Sequence, residues 1–166
     1  MSLRVRAATA EDARFVEDML VEAATWSPHR VAPPRDQVLA EPANAHYVEG
    51  WPRTTDVGLV AEDASGEPVG AAWYRFFDED DPGYGFVDAT IPEICIGVRA
   101  EHRGHGVGTL LLDRLNALAR ENGVAALSLS VETVNPAYRI YARLGYQPVG
   151  RESGGAVTMR LDLPRF

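Results

Sequence analysis

Apolar residues recur along the chain with two periods, and the switches between them mark out the elements. Leu3 and Val5 alternate with Arg4 and Arg6, which predicts a short strand over residues 3–7. Thr9 followed by Glu11 and Asp12 reads as an N-cap with acids in the first turn. Ala13, Val16, Met19, Leu20 and Ala23 then recur at helical spacing, for about four turns. Residues 27–52 hold no sustained period and carry Pro28, Pro33, Pro34, Pro42 and Pro52. Short helices are expected from Pro34 through residue 39 and over 45–50. Residues 57–61 and 69–77, joined by a turn at 64–67, read as a β-hairpin, and an acidic, turn-rich loop covers 78–85.

Ile94, Ile96 and Val98 alternate in a strand over 91–98 with one committed face. Val107, Leu110, Leu111, Leu115 and Leu118 define a helix over 106–122, closed by Gly123 at C′. A strand follows at 126–131. Asn135 as N-cap and Pro136 at N1 then open a helix that runs to Leu144 and ends at Gly145. Residues 149–151 and 156–163 form a closing hairpin about Gly154 and Gly155. Strands and helices alternate through the second half, so the expected fold class is α/β (α+β) with a mixed sheet. Neither a repeat nor a linker interrupts the chain, and one domain over 1–166 is expected.

Composition narrows the chemistry. A chain of 166 residues can bury roughly 70% of its unfolded surface without staples. The net charge of −8 disfavours a nucleic-acid partner, which needs a basic surface, and an anionic membrane surface. No apolar run is long enough to span a bilayer, and the N-terminus lacks the apolar core of a signal peptide. Cys95 is the one cysteine, which excludes an intrachain disulfide and a Cys-rich zinc site and suits a cytoplasmic location. All sixteen basic residues are arginine. The chain therefore lacks the lysine of a pyridoxal-phosphate Schiff base and of a P-loop. His29, His46, His102 and His105 lack the spacing of a metal pair, so no metal is expected.

The informative stretch is Arg103-Gly104-His105-Gly106-Val107-Gly108, set between the 91–98 strand and an amphipathic helix. Glycines let backbone approach a ligand, and a helix N-terminus offers free N–H groups and partial positive charge to a phosphate. A dinucleotide-binding turn would need G-x-G-x-x-G directly after its strand; here the spacing is wrong and Leu111 stands where the last glycine belongs. A tight strand-to-helix connection is the plain alternative.

The same stretch matches the Arg/Gln-x-x-Gly-x-Gly/Ala signature of the GNAT superfamily of N-acetyltransferases. Downstream, Asn135-Pro136-Ala137-Tyr138-Arg139-Ile140-Tyr141-Ala142-Arg143-Leu144-Gly145-Tyr146 resembles that family's Asn-x-x-Ala-x-x-Leu-Tyr-x-x-x-Gly-Phe helix, with the alanine shifted by one residue. The resemblance covers 91–146 firmly and fits the order of elements before it. The implied fold is a mixed, mostly antiparallel sheet flanked by helices, in which a splayed parallel strand pair, here 91–98 and 126–131, binds acetyl-coenzyme A.

Residue by residue, the resemblance implies that pantetheine pairs with backbone groups of Ile96 and Val98. The pyrophosphate would sit on the amides of Gly104, His105, Gly106, Val107, Gly108 and Thr109, helped by Arg103. Asn135 serves as an N-cap in its own right and by resemblance also meets the pantetheine arm. Tyr141 matches the tyrosine that protonates the departing thiolate; the plain alternative is a packed residue on the face shared with Ala137 and Leu144. Tyr138, one turn away, is a weaker substitute. Glu93 stands near the glutamate that takes the amine's proton through water, or else is a strand-edge charge. A backbone N–H near 96–98 would hold the developing oxyanion. No acyl-enzyme is needed, and Cys95 faces away from Ile94 and Ile96.

For the acceptor, Trp26, Tyr47, Trp51, Trp73, Tyr74 and Tyr84 beside Asp78, Glu79, Asp80 and Asp81 suit a cationic amine, although the acidic run also reads as a solvated turn. His29 and His46 are further candidates for that pocket. The resemblance thus implies transfer of acetyl to a primary amine by direct attack in a ternary complex, the acceptor being a small molecule or a protein N-terminus. A non-catalytic acyl-CoA sensor on the same fold and transfer of a longer acyl group stay open. Homodimers are common in the family, and no dimer face is legible. The lysine-free, arginine- and alanine-rich composition fits a GC-rich bacterial genome.

Overall fold

The computed structural model describes residues 2–151 and 155–164. In chain order its elements are strand β1 (Arg4–Ala7), helices α1 (Ala13–Ala24), α2 (Arg35–Ala40) and α3 (Pro42–Ala45), and strands β2 (Val57–Glu62), β3 (Pro68–Arg75) and β4 (Glu93–Val98). Helix α4 (Val107–Glu121), strand β5 (Ala126–Glu132), helix α5 (Ala137–Arg143) and strands β6 (Gln147–Arg151) and β7 (Ala156–Asp162) follow. The strands form one sheet in the order β1–β2–β3–β4–β5–β7–β6. It is mostly antiparallel, and its one parallel pair is β4 with β5. That is the fold the resemblance implied.

Several boundaries differ from expectation: β4 begins at Glu93 rather than residue 91, and β6 at Gln147 rather than residue 149. The second short helix is α3, one turn earlier than expected, because Pro42 opens it at N1 and residues 46–50 continue as turns. The second hairpin strand ends at Arg75 rather than residue 77. Gly154 of the closing hairpin lies outside the described residues.

The backbone gathers into two units, Met1–Trp73 with Cys95–Leu115 and Tyr74–Ile94 with Asn116–Phe166. In the first, β1 pairs antiparallel with β2, Arg4↔Glu62 through Ala7↔Leu59. Arg6 reaches Glu62 at 3.0 Å and both Asp12 oxygens at 2.8 and 2.9 Å. Asp12 also accepts from the Thr9 N–H at 2.7 Å, completing a capping box ahead of α1. Helix α1 buries Phe15, Val16, Met19 and Leu20 along one stripe. Its backbone closes on β4 where Gly97 leaves room: a Cβ there would meet the Met19 carbonyl, with the carbonyl carbon at 2.8 Å. Arg35 of α2 binds Asp18 and Glu17 of α1 at 2.9 and 3.2 Å.

In the second unit, β5 and β7 pair from Ala126↔Asp162 to Glu132↔Ala156. Leu127, Leu129 and Val131 form the apolar face of β5, while Ser128 and Ser130 lie on the other. Tyr146, just after α5, donates its hydroxyl to Asn116 at 2.9 Å. Burial, with a smaller contribution from Tyr141, pushes its phenol well above the ordinary range.

Candidate active site

The anion loop grows out of β4. Arg99 donates its N–H to the Val69 carbonyl of β3 at 2.9 Å, so strand alternation turns the backbone groups of Ile96 and Val98 away from β3. After a short 3-10 turn at Ala100–His102, Arg103 is extended and Gly104 and Gly106 take φ values of 76° and 84°. Only glycine adopts such values without strain, and backbone whose φ alternates in sign, negative at Arg103 and positive at Gly104, is of the kind that can turn successive N–H groups toward one anion. The first bond of α4 runs from the Leu110 N–H to the Gly106 carbonyl at 3.0 Å, which leaves the N–H groups of Val107, Gly108 and Thr109 ahead of it. Nothing lies within 4 Å of where a Cβ on Gly104 or Gly106 would stand. The cradle is open.

Arg103 sits at its rim. Its Nε donates to the Val98 carbonyl at 3.1 Å and its Nη2 to Glu22 of α1 at 2.7 Å. Glu22 escaped the sequence reading, because nothing local links a helix carboxylate to a loop so far along the chain. A Cβ on Gly108 would stand 3.7 Å from Ile96 Cδ1 and 3.9 Å from Val98 Cγ2, so the first turn of α4 rests on these two strand residues. His105 is exposed at the loop's tip. The glycine loop with open space at Gly104 and Gly106, the helix-start amides and one arginine fit a pyrophosphate group.

The other candidates belong to the second unit. Tyr141 is 8% exposed and meets Tyr146 edge to face at 5.9 Å, while Tyr138 is half-buried. Asn135 Oδ1 accepts from the Ala137 N–H at 2.9 Å, an Asx turn just ahead of α5, whose N-cap is Pro136 rather than the expected Asn135. Glu93 is 3% exposed, and its Oε1 accepts from the Gly85 N–H at 2.9 Å. It stands in register with Ser128 across the parallel β4–β5 pair, where the Ser128 N–H also meets the Pro92 carbonyl at 3.1 Å. Gly85 was not singled out from sequence. The dense Pro82-Gly83-Tyr84-Gly85 turn and the serines alternating with leucines in β5 were the available signals.

The acceptor aromatics need correction. Tyr47, Trp51, Trp73 and Tyr74 are buried in the core. Trp73 donates its indole N–H to the Tyr47 carbonyl at 3.0 Å and meets Trp51 edge to face at 6.4 Å. Trp73 and Tyr74 are strand residues that pack inward, Tyr47 and Trp51 are buried from the turn after α3, and counting rings does not distinguish a core from a pocket. Trp26 lies 5.6 Å under the Arg30 guanidinium, and Tyr84 is exposed. His46 is buried and His29 exposed. Asp78 accepts from the N–H groups of Asp80 and Asp81 at 3.0 and 2.9 Å, so the acidic run is a solvated Asx turn. Among the described residues no group of three or more His, Cys, Asp or Glu could hold a metal ion, and no helix is long and apolar enough to cross a membrane.

One parallel pair in an otherwise antiparallel sheet, with an anion cradle between β4 and α4, is the architecture of the GNAT fold. The profile of the Acetyltransferase (GNAT) family matches residues 18–146, and the chain belongs to that family. It is 34% identical over 125 residues to the mycothiol acetyltransferase of Propionibacterium freudenreichii subsp. shermanii, covering 75% of this chain and 38% of that protein. It is also 34% identical over 94 residues to the L-methionine sulfoximine/L-methionine sulfone acetyltransferase of Pseudomonas aeruginosa, covering 56% of this chain and 52% of that protein. The chain therefore spans about half or less of these relatives. Its fold is shared with a protein of Salmonella typhimurium solved with its cofactor acetyl-CoA, at TM-score 0.67 and 23% identity over 100% of this chain and 96% of that one. The ribosomal-protein-alanine N-acetyltransferase of Brucella melitensis gives TM-score 0.68 and 24% identity, over 96% and 99%.

Proposed function

We propose that this chain is an N-acetyltransferase that moves acetyl from acetyl-coenzyme A to a primary amine by direct attack in a ternary complex. The observation that carries the reading is the open cradle at Gly104 and Gly106 ahead of a fifteen-residue helix. Acetyl-coenzyme A would supply an activated acetyl thioester. Arg103 and the amides from Gly104 to Thr109 would bind its pyrophosphate, backbone groups of Ile96 and Val98 its pantetheine, and Asn135 would add a polar contact to that arm.

Tyr141 is the proposed acid. A phenol of ordinary pKa about 10 can donate to, or hold, a thiolate whose thiol has a pKa of about 8.5. Glu93 is the proposed base: its carboxylate takes, through a water, the proton that the amine must lose before its lone pair can attack. Relatives bearing names that specify L-methionine sulfoximine, L-methionine sulfone or ribosomal-protein alanine make amino-acid amines and a protein N-terminus the first acceptors to try.

Calorimetric titration with acetyl-coenzyme A of the wild type and Gly106→Trp, followed by free-thiol release over L-methionine sulfone, L-methionine sulfoximine and an alanine-ended peptide, tests the reading. Binding lost in the variant, and thiol release accelerated by one amine, are expected. Binding without turnover on any amine would count against a transferase, and no binding at all would sink both the cofactor and the anion-loop argument.

A further inference from the structure

Ser128 is a buried polar residue that the proposed reaction leaves without a task. It is 0% exposed, and its Oγ has no hydrogen-bond partner among the described residues. A hydroxyl removed from water without a partner costs about 1–3 kcal/mol, and such groups in native proteins are met by protein or by an ordered water. The neighbours of Ser128 say which. Across the parallel pair it stands opposite Glu93, and residues in register on adjacent strands turn their side chains to the same face.

Gly85 closes that face. Its N–H holds Glu93 Oε1 at 2.9 Å, and a Cβ on it would stand 2.6 Å from the Leu129 oxygen and 2.7 Å from the Ser130 nitrogen. The loop thus lies on the backbone of β5 one residue beyond Ser128, with Glu93 drawn toward it. A carboxylate, a hydroxyl and a backbone N–H are gathered under one turn of chain. Ser130, next on the same face, is half-buried and leads outward. Two polar groups of fixed placement around a buried spot are what an ordered water needs.

We propose that Ser128 is a positioning residue whose hydroxyl holds the water through which Glu93 receives the amine's proton; the inference rests on the transferase reading above. The amine nitrogen gives one proton to the water as the water passes one of its own to Glu93. The freed lone pair forms the nitrogen–carbon bond, the carbon–sulfur bond breaks, and the sulfur takes a proton from Tyr141. The nitrogen then carries one proton more than the amide keeps; that proton passes to solvent, from which the Tyr141 phenolate is reprotonated, and Glu93 releases its own proton to solvent, so both groups and the water return to their starting state and nothing is oxidised or reduced.

The test pairs a high-resolution crystal structure of the wild type with kinetics and melting of Ser128→Ala. An ordered water within hydrogen-bond distance of both Ser128 Oγ and the Glu93 carboxylate is expected. In Ser128→Ala that water is lost and kcat falls about tenfold, while KM for acetyl-coenzyme A and the melting temperature hold. The melting temperature separates this role from a packing one, since a hydroxyl that tied protein groups together would lower it when removed. A wild-type crystal structure in which Oγ donates to a protein carbonyl, or a Ser128→Ala enzyme with wild-type kcat, overturns the proposal. Failure of every amine to release thiol overturns the transferase reading and the proton step with it; the crystallographic result is read without any amine and separates the two failures.

Discussion

Gly106→Ala isolates the anion cradle from the rest of the fold. The residue has φ 84°, and nothing lies within 4 Å of the place its Cβ would occupy. An alanine therefore meets no steric neighbour, and its whole cost is the left-handed backbone, about 1–2 kcal/mol. The exposed loop can shed that strain in the free protein by relaxing to negative φ, which disperses the converging N–H groups. It must be restored when the ligand binds. Affinity for acetyl-coenzyme A is then expected to fall about 5- to 30-fold, with little change in melting temperature. Gly108→Ala is the control: its φ is not positive and its Cβ would make ordinary contacts with Ile96 and Val98. In the first turn of α4 an alanine stabilises by up to about 1 kcal/mol. S-acetylpantetheine, which lacks the pyrophosphate, should bind wild type and Gly106→Ala equally in calorimetry. If the variant weakens both ligands alike, the cradle does not serve the pyrophosphate and the reasoning fails.

Tyr141→Phe keeps the edge-to-face contact with Tyr146 and removes only the hydroxyl, so kcat should drop about a hundredfold while acetyl-coenzyme A affinity measured by calorimetry holds. An unchanged kcat would remove Tyr141 from the chemistry. The Asp12 carboxyl is held below its ordinary range, chiefly by the Arg6 hydrogen bond and then, against the opposing effect of burial, by the Thr9 N–H. A depressed folded-state value stabilises the protein above the unfolded pKa of about 3.9, and the gain disappears as pH falls through the folded value. The stability difference between wild type and Asp12→Asn in urea should therefore be largest near neutral pH and vanish in acid; a constant difference would refute the assignment. Gly97→Ala drives a Cβ into the Met19 backbone and should cost about 3 kcal/mol, lowering the melting temperature by roughly 6–12 °C.

What could be read from the chain in advance was what is encoded by neighbours in sequence. Gly104 and Gly106 declare left-handed backbone by being glycine, and Val107 begins the helix one residue after the expected start. Thr9 announces its cap, and Asn135 the turn ahead of α5, because bonds of this kind span two or three residues. The proline-broken segment was less legible, since several prolines each offer a helix start and only packing selects Pro34 and Pro42. Hidden altogether were the relations that need the sheet. Ser128 meets Glu93 only through strand pairing, Glu22 meets Arg103 only once α1 is laid on β4, and the hydrogen bond from Trp73 to Tyr47 turns an apparent aromatic pocket into core.

Burial sorts the candidate residues by the kinetic constant each can move. Arg103, Gly104, His105, Gly106 and Thr109 are exposed, so before any ligand arrives their donors face water or, for Arg103, the Val98 carbonyl and Glu22. A phosphate there exchanges one set of hydrogen bonds for another, at a modest gain per contact. Such residues select a ligand by geometry and by ground-state affinity. Glu93, Ser128 and Tyr141 are buried, where a dipole or proton acts at low effective dielectric and a small misplacement is felt strongly. Groups of that kind contribute most where charge moves, in the transition state. Substitutions in the loop should therefore weaken acetyl-coenzyme A binding and leave kcat at saturation alone, while substitutions at the buried three should do the reverse. A Gly104 or Arg103 variant that lowered kcat at saturating acetyl-coenzyme A, or a Ser128→Ala enzyme with weakened acetyl-coenzyme A binding, would break that division and merge the two sets of residues into one functional unit.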